Sequence, residues 1–154
     1  PVYGHSIGLS ASAIGMILAA FAAATVAIRF FLSTMVKYGS EMRILNQAIY
    51  VASAAFFLFP FFSNPWALAA ISFLLGLGVG TGQPLSMSLI YNLSPKNRTS
   101  EAAGVRVTVN HCTHVTIPLV FGAVGSAFGF APVFVGNAVL LLGGALINQR
   151  AARR

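Results

Sequence analysis

Nine basic residues are spaced so that all of them fall at alternate breaks between five long apolar runs, and this pattern constrains the chain more than any other feature. The runs cover about 10–32, 44–62, 65–93, 101–128 and 132–149. Each is close to the roughly 20 residues that a helix needs to cross a hydrocarbon core about 30 Å thick. The breaks after the first and third runs carry Lys37, Glu41 and Arg43, and Lys96, Arg98 and Glu101. Arg29 and Arg106 lie just inside the flanking helices, and the tail carries Arg150, Arg153 and Arg154. The breaks at Ser63-Asn64 and at Gly129-Phe130-Ala131 carry no charge. In a five-helix zigzag every Lys and Arg then lies on one side. The positive-inside rule makes that side cytoplasmic, with the N-terminus outside and the C-terminus in the cytoplasm. One helix more or fewer would scramble the pattern.

Composition agrees. Charged residues are only 7% of the 154 and apolar residues 57%, too little charge and too much apolar surface for a water-soluble domain of this size. The expected fold is therefore all-α, a polytopic transmembrane bundle. Barrel strands are excluded, because they are shorter and alternate apolar with polar residues, and because a helix satisfies its own backbone groups in lipid. The net charge of +7 does not form a basic stripe interleaved with aromatics, so nucleic acid is not an expected partner. The single cysteine, Cys112, cannot pair within the chain and is read as packing in an apolar segment. The chain begins at Pro1 without an initiator Met or a basic leader, and is read as a fragment trimmed on its N-terminal side. The sequons at Asn92 and Asn97 fall on the cytoplasmic side and are read as chance matches.

Helix ends and packing signals follow. Ser10 or Ser12 caps the first helix and Pro65 occupies a first-turn position in the third. Gly15, Ala19, Ala23 and Ala27 form a ladder of small residues, a pattern that lets helices approach closely in lipid. Gly76, Gly78, Gly80 and Gly82 form two overlapping G-x-x-x-G pairs, followed by Gln83-Pro84. Pro84 kinks the helix, so that Gly76, Gly80 and Pro84 read either as a tight bend or as a hinge beside a cavity.

Polar side chains inside a membrane are costly and tend to face a bundle interior or a wet cavity. The fourth run is the richest. Arg106, Asn110, Thr113 and His114 share a face about 100° wide, with His111 turned away. Arg106 has two readings: it snorkels or pairs with Glu101, or it meets a ligand. Asn110 and His114 lie deeper, as interhelical hydrogen bonders or as ligand or proton contacts. His111-x-x-His114 lacks a carboxylate at depth, so no metal is expected. Gln83 projects from the glycine face of the third helix, Thr25 is the deep polar residue of the first, and Asn137 that of the fifth. Asn46, Gln47 and Tyr50 open the second helix and are read as bonding neighbouring loops. Glu41 and Glu101 both lie in loops, so an intramembrane enzyme lacks its acids, and neither enzyme activity nor a cofactor is expected.

Three stretches resemble the major facilitator superfamily of secondary transporters. The first, 29–43 (RFFLSTMVKYGSEMR), is similar to the degenerate second copy of the family's cytoplasmic loop motif, with Lys37, Gly39 and Arg43 at its basic, glycine and basic positions and Val36 where the motif has Asp. The second, 76–88 (GLGVGTGQPLSMS), resembles the Gly-rich tenth helix, and the third, 100–118, the eleventh. The resemblance implies helices eight to twelve of a twelve-helix protein in a plasma or inner membrane, working with the N-terminal half that is missing here. It implies alternating access about a central cavity for a small solute, coupled to a proton or another ion. The ninth and twelfth helices would face lipid, and Gln83, Asn110, His114, Arg106 and Thr25 would line the cavity. The alternative is a small assembly subunit of a larger membrane complex.

Overall fold

The computed structural model describes residues 4–5, 7–95 and 97–151. Lys96, Arg153 and Arg154, which belong to the basic pattern, lie outside the described residues, as does Pro1. Five helices are present, each long and apolar enough to cross a membrane, and no strand occurs among the described residues. They are α1 (Ala11–Tyr38), α2 (Glu41–Leu58, extended by a 3₁₀ turn Phe59–Phe61), α3 (Pro65–Leu93), α4 (Thr99–Phe128) and α5 (Phe130–Ala151). The chain is a multi-pass membrane protein.

The termini follow local chemistry. Ser10 caps α1, its Oγ accepting from the Ala13 amide at 3.3 Å. Asn64 caps α3, its Oδ1 accepting from the Trp66 amide at 2.9 Å, with Pro65 next to it. Pro60 has no amide hydrogen to continue α2, and the chain tightens into the 3₁₀ turn there. The connection between α1 and α2 is shorter than expected, because α1 runs six residues past 32 and α2 starts three before 44. Lys37 thus occupies the last turn of α1 and Glu41 the first turn of α2, where each charge suits the helix dipole.

Helix α3 is the hub, wedged between α1 and α2, and α5 lies against α2. Glycine makes the wedge possible. A Cβ on Gly76 would run into the Phe21 carbonyl and come within 2.9 Å of Ala24 Cβ. On Gly80 it would come within 2.7 Å of Ile28 Cγ2, also on α1, whereas on Gly78 it would meet the Ala48 carbonyl of α2 at 2.7 Å. The alternating glycines therefore serve two different helices. Gly82 faces open space. The ladder on α1 is a different matter: Gly15, Ala19 and Ala23 are exposed, and the face that meets α3 is built from Phe21, Ala24, Thr25 and Ile28. Spacing placed the small residues on one face but could not say which face met a neighbour.

Elsewhere the packing is apolar with a few interhelical polar ties. Ala52, Ala55, Ile71 and Leu75 form one core cluster; Leu32, Ile44 and Leu85 form another towards the basic end. Buried Ser53 donates to the Ala138 carbonyl at 2.8 Å and holds α2 to α5, while Phe59 stacks on Phe134 at a centroid distance of 5.1 Å. At the basic end Glu41 accepts from Ser88 at 2.7 Å and from Asn92 at 3.2 Å, so the first sequon asparagine ties α3 to α2. Large apolar side chains such as Phe30, Phe31 and Ile147 stand exposed, as a lipid-facing surface requires. Helix α4 is the loosest element. It touches α3 and α5 only sparingly, and Gly125 is its one buried residue.

Candidate functional site

Because α4 stands off from α3, a cleft of about 580 Å³ opens between them. Helices α1, α3 and α4 contribute all but one of its polar side chains: Thr25 and Arg29, Gln83 and Ser86, and Arg106, Asn110 and His114. All five residues read from the sequence as cavity candidates therefore meet around one space. Its floor is a departure from expectation. Ala48, Ala52 and Phe56 of α2 and Asn137 and Leu141 of α5 also line it, so the second and fifth helices do more than face lipid. A smaller opening of about 440 Å³ shares Arg29, Gln83 and Arg106 with the cleft and reaches Pro84 and Met87.

Arg106 is fixed by α3. Its Nη2 donates to Ser86 Oγ at 2.6 Å and to the Gln83 carbonyl at 3.2 Å. Ser86 in turn lies 2.6 Å from the Gly82 carbonyl, to which its hydroxyl donates. The partners sit immediately around Pro84, which cannot donate to the Gly80 carbonyl and so weakens the helix there. Glu101 is not the partner of Arg106; it pairs with Arg98 at 3.2 Å, and both side chains are exposed. That is the one ion pair among the described residues.

Thr25 is less available than the sequence implied. Its hydroxyl is directed to the Phe21 carbonyl at 2.9 Å and the Gly76 carbonyl at 3.4 Å, so its hydrogen is committed to the backbone. The side chains of Gln83, Asn110 and His114 are different: they form no hydrogen bond to any described residue and line the open cleft. Thr108 and Thr113 donate back to their own helix, and Cys112 is exposed on α4 rather than packed. Lys37 and Arg43 are exposed at the basic end. Gly39 joins the helices in extended backbone, where an added Cβ would only touch Ile44 and Met35 at 3.4 Å.

The cleft is electrostatically one-sided. Arg29 and Arg106 line it and no carboxylate does. By sequence Arg29 belongs to the basic pattern near the helix end; only the packing of α1 turns it toward α3 and α4. Pro118 is a second structural break. It lies inside α4 and cannot donate to the carbonyl of His114, four residues earlier. A proline within a polar helix was the signal that could have marked this position. The arrangement holds two cations, three amides and an imidazole around a cavity large enough for a small organic molecule.

The sequence profile of the Major Facilitator Superfamily matches residues 1–152. Among curated proteins, the uncharacterized MFS-type transporter YfkF of Bacillus subtilis is 30% identical over 96 residues, covering 62% of this chain and 24% of that protein. The multidrug resistance protein MdtG of Salmonella schwarzengrund is 30% identical over 122 residues, covering 77% of this chain and 29% of the relative. MdtG of Salmonella paratyphi B matches to the same extent. The chain thus spans about a quarter of the length of the relatives it matches.

Proposed function

The chain belongs to the major facilitator superfamily, a family of transporters rather than enzymes, and we propose that it is the C-terminal part, helices eight to twelve, of a secondary transporter that moves a small solute by alternating access. The observation that carries this reading is the convergence of Gln83, Asn110 and His114, whose side chains have no hydrogen-bond partner among the described residues, with Arg106 and Arg29 around one cleft. Intramembrane polar groups left unspent are costly unless something wet or polar meets them. In this reading the cleft is one wall of the transport cavity, and the N-terminal half of the same protein supplies the other. Topology follows the basic pattern, with the N-terminus of the chain outside and the C-terminus cytoplasmic.

The parts divide as follows. Arg106, held by Ser86 and the Gln83 carbonyl, presents a fixed positive charge beside Pro84. Gln83 and Asn110 offer donors and acceptors to a solute. His114 is the group in this wall able to take up and release a proton, so ion coupling runs through it or through the other half. The α3 glycines and Pro84 let that helix bend while it stays wedged between α1 and α2. The Salmonella relatives are multidrug resistance proteins, which makes drug-like organic molecules the first solutes to test.

The test is uptake and efflux in membrane vesicles holding the full-length gene product, with and without a pH gradient, compared with His114→Ala and Asn110→Ala at matched expression. Gradient-driven movement of a solute, lost in both variants, supports the reading. Movement unchanged in both variants removes the cleft from the pathway, and no movement of any solute by a folded protein overturns the transport reading.

A further inference from the structure

A second polar space lies away from the cleft, between the first turns of α2 and the last turns of α5. It measures about 510 Å³ and is lined by Arg43, Asn46, Gln47, Tyr50, Asn148 and Gln149 among others. Unlike the cleft, both of its walls belong to this chain, so the space does not depend on a further half. The Tyr50 hydroxyl donates to Gln149 Oε1 at 3.4 Å, which links the two helices at its inner end.

Two side chains that line this space each carry a buried, chemically unfinished atom. Asn46 Oδ1 and Asn148 Nδ2 are buried and have no hydrogen-bond partner, leaving one acceptor and one donor unsatisfied. Buried polar atoms in folded proteins are nearly always paired, so such a couple calls for an occupant. The charge in the wall narrows the choice. Arg43 forms no ion pair with any described residue, and the described lining contains no carboxylate. The occupant therefore carries an anion for Arg43 and the Asn148 amide, together with a hydrogen donor for Asn46 Oδ1. Depth narrows it further. Arg43 lies in the opening turn of α2 and Gln149 in the closing turn of α5, where membrane-crossing helices meet the headgroups in either orientation.

We infer that this space binds the headgroup of an anionic phospholipid that also bears hydroxyl groups, of the phosphatidylglycerol kind. Its phosphate is held by Arg43 and, once the Asn148 and Asn46 side chains turn to present their buried atoms, by Asn148 Nδ2, with a glycerol hydroxyl donating to Asn46 Oδ1. A zwitterionic ethanolamine lipid places a second cation beside Arg43 and fits less well. Basic pockets between helices at this depth are suited to anionic headgroups.

The experiment uses the full-length gene product purified in detergent. Thermal stability is followed as phosphatidylglycerol or phosphatidylethanolamine of matched chains is added, and retained lipid is counted by native mass spectrometry. Wild type is expected to be stabilised more by phosphatidylglycerol and to retain it preferentially. Arg43→Gln, at an exposed position, is expected to weaken the apparent affinity by about fivefold, the effect of one basic residue near an anionic surface, with lipid-free stability unchanged. Asn148→Leu removes the unpaired donor and is expected to weaken retention with no loss of lipid-free stability. Equal stabilisation by both lipids, or a preference undiminished by Arg43→Gln, overturns the inference. Equal protection by soluble glycerol phosphate also overturns it, in favour of a soluble anion.

Discussion

Substituting alanine at each of the four α3 glycines tests the wedge, because one helix carries three close contacts and its own control. An alanine in place of glycine gains up to about 1 kcal/mol in helix propensity. Overpacking a tight contact costs about 1–3 kcal/mol, and more where the neighbour cannot move. At Gly76 the neighbour is the Phe21 carbonyl, and at Gly78 the Ala48 carbonyl at 2.7 Å; both are helix backbone and cannot rotate away. At Gly80 the nearest atom is the Ile28 methyl at 2.7 Å, which can turn, but Thr25 Cα lies behind it at 3.0 Å. At Gly82 nothing lies within 4 Å. Gly76→Ala and Gly78→Ala should therefore each destabilise by about 1–2 kcal/mol net or more, Gly80→Ala by less, and Gly82→Ala should be neutral or stabilising by up to about 1 kcal/mol. The assay is the apparent melting temperature of the full-length protein in detergent, read by fluorescence-detected size exclusion. A fall of several degrees for the first two variants and none for the last is expected. Equal melting temperatures for Gly76→Ala and Gly82→Ala would refute the wedge.

Three further outcomes follow from the contacts. Ser53→Ala, which removes the buried bond to the Ala138 carbonyl, should cost about 0.6–2 kcal/mol by the same thermal assay. Arg106→Lys keeps the charge but loses the planar donor set that reaches Ser86 and the Gln83 carbonyl together, so vesicle transport should fall well below wild type at unchanged expression; full activity would detach Arg106 from the mechanism. For topology, with Cys112 replaced by Ala, a cysteine at Lys37 should be labelled by a membrane-impermeant maleimide only from the cytoplasmic side and one at Asn64 only from outside; the reverse pattern would invert the proposed orientation.

Much of this protein was legible in its sequence. The five spans, their all-helical character and the basic side of the zigzag follow from apolar run length and from where Lys and Arg fall, because lipid tolerates neither open backbone nor stray charge. The polar face of α4 was equally visible, since charge and amide groups in an apolar run stand out wherever the helix goes. What the sequence left open was which apolar face meets which neighbour. In water, burial and exposure write different residues onto the two faces of a helix; in a membrane, lipid and interior are alike apolar, and the pattern carries no such mark. Only tertiary structure turned Gly15, Ala19 and Ala23 outward, shared the α3 glycines between α1 and α2, gave Arg106 to Ser86 rather than Glu101, and brought Arg29 into the cleft.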